Sequence, residues 1–192
     1  MTFQEAQGDM WKAAISRKPA ALVITTNGFT KSNGEAVMGR GCAREAALAN
    51  PDLPRMLGMY LDRYGNHVTS LAEHTLSLSQ ESGEASTVLI VTFPVKPISA
   101  KCSASKDNVV RHMRDRFNPG QAVPGWACVA DLEIIEQSCR ELVKFTDDFI
   151  GKASPGQVFM PRPGCGAGEL SWEDVKVILQ RYLDERFVVF HK

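Results

Sequence analysis

The sequence predicts an α/β fold in which a largely parallel sheet lies between two layers of helices. Three observations carry that expectation. Short apolar runs are continuous rather than alternating, as strands covered on both faces are. Segments of helical period separate those runs, and strands alternating with helices build parallel sheets. Glycine-rich and polar residues collect just after the runs, at the carboxyl ends where such sheets open into a ligand crevice.

The first run, Ala20 to Ile24, leads into Thr26-Asn27-Gly28. The second, Thr87 to Val91, is followed by Lys96, and the third, Gln157 to Met160, by Arg162 to Gly168. Phe187 to Phe190 forms the fourth. Leu132, Ile135, Cys139 and Leu142 fall on one helical stripe behind Asp131, a residue suited to the N-cap. Trp172, Val175, Ile178, Leu179 and Tyr182 repeat the pattern, with Ser171 and Asp174 placed as a capping box. Asn118-Pro119-Gly120 to Pro124-Gly125 reads as a flexible insert.

The 192 residues, 44% of them apolar, fit a single domain spanning 1–192 with one sizeable core. Twenty-two basic residues balance twenty-two acidic ones, which argues against non-specific binding to a phosphate backbone. The local cluster Arg111, Arg114 and Arg116 reads as a solvated helix face. No apolar run reaches membrane-spanning length, and no signal peptide is apparent. Five cysteines without a CxxC pair, and four scattered histidines, suggest free thiols in a reducing cytoplasm and no metal.

Two loops carry the candidate chemistry. In the first, Met38-Gly39-Arg40-Gly41-Cys42-Ala43 precedes an alanine-rich helix. Glycines allow positive φ and close approach, so successive N–H groups can converge on an anion at a helix N-terminus. Arg44 occupies the place of the third glycine of a dinucleotide fingerprint, which weakens an NAD-binding reading. The second loop, Pro161-Arg162-Pro163-Gly164-Cys165-Gly166-Ala167-Gly168, also joins a strand to a helix. Each alone is consistent with a tight turn; both on one sheet edge suit a pyrophosphate clasp.

Gly8-Asp9, Thr26-Asn27-Gly28, the Met38 to Ala43 loop and Pro161 to Gly166, in that order and spacing, resemble macro domains from Gly8 to Phe190. The branch they resemble most contains terminal ADP-ribose protein glycohydrolase and its bacterial and phage relatives. The resemblance implies a three-layer α/β/α fold with a mixed, mostly parallel six- or seven-stranded sheet. Its implied ligand is ADP-ribose, free or on a protein or nucleic acid, with no cofactor. Asp9 and the Met10 backbone would read adenine, and Asn27 the distal ribose. Gly39, Arg40, Gly41, Cys42 and Ala43 would wrap that ribose and the pyrophosphate, and Gly164, Cys165, Gly166, Ala167 and Gly168 the phosphates. Phe190 would pack on adenine. Alternatives stand beside these roles: Asp9 as a helix cap, Asn27-Gly28 as a turn, Phe190 as core.

In the same branch a lysine corresponding to Lys96 attacks the anomeric carbon of ADP-ribose, assisted by an acid after the second loop. Here Gly168 holds the acid's position, and Glu169, one residue later, is the candidate to substitute for it if the loop shifts. Two classes of function follow: a binding module for ADP-ribose, which the missing acid favours, and a hydrolase releasing ADP-ribose or deacylating its derivatives. Lys96 as a surface charge is the plain alternative.

Overall fold

In a computed structural model, residues 2–77, 85–150 and 157–192 are described. Along the chain, β1 (Gln4–Gln7) leads to α1 (Met10–Arg17), β2 (Ala21–Asn27), α2 (Gly41–Ala49) and α3 (Leu53–Tyr64). Next, β3 (Ser70–Ser77) and β4 (Ala85–Lys96) precede β5 (Ser99–Lys101), a 3-10 helix (Arg111–Arg116) and β6 (Ala122–Pro124). Then α4 (Leu132–Phe145), β7 (Val158–Pro161), α5 (Trp172–Tyr182) and β8 (Phe187–His191) close the fold.

The described residues form a six-stranded sheet in the order β1-β8-β7-β2-β4-β3. Every pair is parallel except β3 with β4. Residues of each central strand alternate between two cores. Leu22, Ile24, Phe159 and Val188 face α1, α2 and α3, where Ala14, Ala46, Leu57 and Leu61 meet them. Ala21, Val23, Val158, Met160 and Val189 face α4 and α5, against Ile135, Cys139, Leu142, Val175 and Leu179. The three-layer architecture and the mixed, mostly parallel sheet thus agree with the sequence expectation. All five cysteines are free thiols.

The expected caps are in place. Asp131 accepts from the N–H groups of Glu133 (2.8 Å) and Ile134 (3.4 Å), and Ser171 Oγ from that of Asp174 (3.2 Å). The stretch from Asn118 to Gly125, read as a flexible insert, belongs instead to a packed unit. Here β6 pairs antiparallel with β5, and Val109, Val110, Met113, Val123, Ala127 and Cys128 bury one another in a third apolar cluster. The physical reason is that its apolar residues are spaced irregularly through turns, so no period reveals their common interior.

Tight backbone contact anchors the loop that follows β2. A Cβ on Gly58, in α3, would stand 1.9 Å from the Gly34 carbonyl oxygen. The same loop is held by the Ala36 N–H donating to Pro54 O at 2.8 Å. Gly58→Ala must therefore push α3 off the loop, an overpacking cost of about 1–3 kcal/mol. A thermal melt should show a lower midpoint for Gly58→Ala, whereas Gly120→Ala, with open space around it, should fall only by the strain of its positive φ.

Candidate functional site

Parallel pairing delivers the loops after β2, β4 and β7 to one edge of the sheet. Register sets the details: Asn27 is the neighbour of Lys96 across β2 and β4, and Pro161 is the neighbour of Phe190 across β7 and β8. Between these strand ends lies a cavity of about 510 Å³. Both glycine loops line it, through Gly39, Arg40, Gly41, Cys42 and Ala43 on one side and Gly164, Gly166, Ala167 and Gly168 on the other.

The loops are shaped for close approach. Gly41 (φ 56°) and Gly164 (φ 74°) lie in the left-handed region that favours glycine. A Cβ at Gly39, Gly41 or Gly166 would meet no atom within 4 Å, so these glycines face open space rather than packed protein. Gly41 begins α2, and the preceding Arg40 supplies no side-chain cap. The first-turn N–H groups and the positive end of the helix dipole are left for an anion. Cys42 is tied into the floor, its Sγ accepting from the Thr25 N–H at 3.3 Å, and burial raises its pKa, so it stays a thiol.

Lys96 is buried at 7% exposure and lines the same cavity. Its ammonium donates to two carbonyls, Ala167 O at 2.9 Å and Trp126 O at 3.4 Å. Burial lowers its pKa from 10.5 to about 8; Cys128 and Glu169 oppose the shift and Arg40 adds to it. A surface lysine it is not. Arg40, Arg116, Arg162 and His112 join it in the lining, and no Asp or Glu does among the described residues.

No family model matches the sequence, and no curated protein matches it either. Solved structures do. The macrodomain of Mycobacterium tuberculosis DarG aligns with a TM-score of 0.59 and 20% identity, over 100% of this chain and 98% of that one. The macrodomain of Thermus aquaticus DarG gives 0.60 and 20%, again over 100% and 98%. Thermosipho africanus DarTG in complex with ADP-ribose gives 0.63 and 18%, over 97% of this chain and 41% of that one.

The chain has the macrodomain fold.

On that fold the remaining residues singled out in the sequence divide clearly. Asn27 lines the cavity, yet its amide is engaged in its own loop, donating to Val37 O (3.0 Å) and accepting from the Phe29 N–H (3.1 Å). Asp9 caps α1, its Oδ1 accepting from the N–H groups of Trp11 (2.8 Å) and Lys12 (3.2 Å), and is outside the cavity lining. Met10 and Phe190 are buried in the core beneath α1, Phe190 with its ring centroid 4.9 Å from that of Phe159. Cys165 Sγ donates to Pro163 O at 3.5 Å, within its own loop.

Glu169 also lies off the lining. Its two carboxylate oxygens accept from the Arg111 N–H at 2.9 and 3.1 Å. Gly168, at the position of the branch's acid, has no room for a side chain: a Cβ would stand 2.5 Å from Gly164 O and 2.6 Å from Ala130 Cβ.

Sequence reasoning missed the wall supplied by the segment after β4. Val110, His112, Met113, Arg116 and Trp126 all reach the cavity. The arginine cluster read as a solvated helix face is thus a 3-10 helix with Arg116 turned to the site, and Arg114 Nε donates to Val109 O at 3.2 Å. Arg162, also unassigned before, stacks 4.4 Å over Trp172 while pairing with Glu5 at 2.9 Å.

Burial of Lys96 has a measurable signature. Its folded pKa lies below its unfolded value, so between about pH 8 and 10.5 the unfolded chain binds more protons. Stability must then rise with pH across that window. Comparing urea unfolding of the wild type and Lys96→Met should show the wild type gaining on the variant as pH rises, by no more than about 3 kcal/mol. A difference that stays flat through the window would mean that Lys96 is hydrated.

Proposed function

We propose that this chain binds ADP-ribose, free or attached to a protein or nucleic acid, in the cavity between the two glycine loops. The observation that carries the reading is the convergence of both loops, the start of α2 and several cations on one cavity without a lining carboxylate among the described residues. A pyrophosphate is the ligand group such donors suit. The occurrence of ADP-ribose in the Thermosipho africanus structure supports the same ligand. Asp9, at the end of β1 and the start of α1, remains the candidate for adenine through the carboxylate oxygen that its cap leaves over.

Among the described residues, no helix is long and apolar enough to cross a membrane, and no three His, Cys, Asp or Glu gather as a metal site. The five free thiols support a reducing, cytoplasmic setting.

A second reading, release of ADP-ribose by hydrolysis, is favoured by one observation: Lys96 is buried in the cavity with a pKa near 8. A neutral amine has the lone pair that attack on an anomeric carbon requires. Against it, neither Gly168 nor Glu169 offers an acid to the cavity. Binding is therefore the primary reading.

Calorimetry should give one ADP-ribose per chain. Gly166→Val, which fills the open space at the second loop, should abolish binding, and Asp9→Ala should weaken it by roughly 1.5–3 kcal/mol. A folded wild type that ignores ADP-ribose would overturn the reading.

For the second reading, the wild type should release little or no ADP-ribose from an ADP-ribosylated protein or nucleic acid. Robust release that Lys96→Ala loses while keeping ADP-ribose affinity would make the chain an enzyme, because a group acting in the transition state affects turnover more than binding.

A further inference from the structure

The segment between β4 and α4 is a small unit with its own apolar interior, yet it forms one wall of the cavity. Its Trp126–Ala130 end is tied to the rest of the molecule by Lys96 Nζ donating to Trp126 O and by the Ala130 N–H donating to Gly168 O at 2.9 Å. The 3-10 helix at its other side, Arg111–Arg116, carries His112, Met113 and Arg116. Among the hydrogen bonds of the described residues, one residue outside the unit holds that helix: Glu169, through the Arg111 N–H.

Glu169 keeps this place at a cost. Its φ is 62°, in the left-handed region where a side chain other than glycine's is disfavoured. Such strain persists where the surroundings over-determine it. Two backbone bonds hold the turn, Glu169 N–H to Gly166 O at 3.1 Å and Leu170 N–H to Gly164 O at 3.0 Å, and the carboxylate's paired contact with Arg111 joins them.

We propose that Glu169 is a positioning residue: its carboxylate fixes the Arg111–Arg116 helix to the second glycine loop, and so sets the His112, Met113 and Arg116 wall that confines the distal ribose at the Lys96 end of the cavity. The ligand part rests on the ADP-ribose reading above. Glu169 then acts on affinity through the wall, without touching the ligand, and on ADP-ribose more than on ADP, which lacks that ribose.

The test uses the full chain with Glu169→Ala, Glu169→Gln and Glu169→Gly. Titrations with ADP-ribose and ADP are paired with amide hydrogen exchange of the ligand-free proteins. Glu169→Ala should lose the protection of the Arg111 amide and weaken ADP-ribose about tenfold, the scale of one charge-assisted hydrogen bond. ADP affinity should move less than about twofold. Glu169→Gln, whose amide oxygen still accepts from Arg111, should restore both readouts. Glu169→Gly, which removes the strain and the clamp together, should remain weak.

Restored affinity in Glu169→Gly would show that loop strain caused the loss and would overturn the proposal. So would equal losses for ADP and ADP-ribose, or Glu169→Gln behaving like Glu169→Ala. If the wild type binds neither nucleotide, the ADP-ribose reading fails by itself. The exchange measurement then decides the clamp: protection lost in Glu169→Ala upholds it, and protection kept overturns it.

Discussion

The site depends on β2 being paired in parallel on both sides, with β4 and with β7. Parallel strands point their carboxyl ends the same way, so the chain must leave β2, β4 and β7 along a single edge. Because both faces of these strands are buried under helices, slipping the register by one residue would exchange the side chains of the two cores and mismatch both. Core packing fixes the register from Ala21–Leu89 to Thr26–Pro94, and a register shift between Thr26 and Asn27 then sets Asn27 beside Lys96. Site geometry follows from the sheet, and α3 extends that control to the loop after β2 through Gly58.

Within this frame, the charge arrangement is lopsided. Cations and backbone N–H groups face the cavity, while the carboxylates nearby are spent elsewhere: Glu5 on Arg162 and Lys176, Glu169 on Arg111, Asp9 on the start of α1. Lys96 is held by carbonyl oxygens rather than by a carboxylate. A carbonyl pair stabilises an ammonium less than an ion pair does, so burial prevails and the pKa falls. With Arg162 paired to Glu5 but no carboxylate in the lining itself among the described residues, the cavity keeps a net positive field, which favours an anionic ligand.

The four inner strands of the sheet, β8, β7, β2 and β4, and the two glycine loops were legible because their signals are local: an apolar run, then a turn sequence, then a helical stripe. The caps at Asp131 and Ser171 were legible for the same reason. Two features of the site were not. The wall of His112, Met113, Arg116 and Trp126 comes from a unit whose interior is assembled by turns, with no period to mark which residues face inward. The side of Phe190 was undecided because β8 is apolar on both faces, and only the packing on Phe159 assigns it to the core.

A single sequence position shows how packing, rather than catalytic need, decides what this loop presents. Gly164 turns the chain at φ 74°, which brings its carbonyl beneath residue 168, and Ala130 closes the same space from the far side. An acid at 168 would require one of them to retreat. The Ala130 N–H donating to Gly168 O opposes that retreat, because it locks the start of α4 to the loop. The next residue carries the carboxylate instead, but there the backbone is left-handed and the side chain swings to the Arg111 N–H. A one-residue offset between sequence patterns thus becomes a change of role: the loop keeps an acidic group, and the fold converts it from a neighbour of the ligand into a tie between two walls of the cavity.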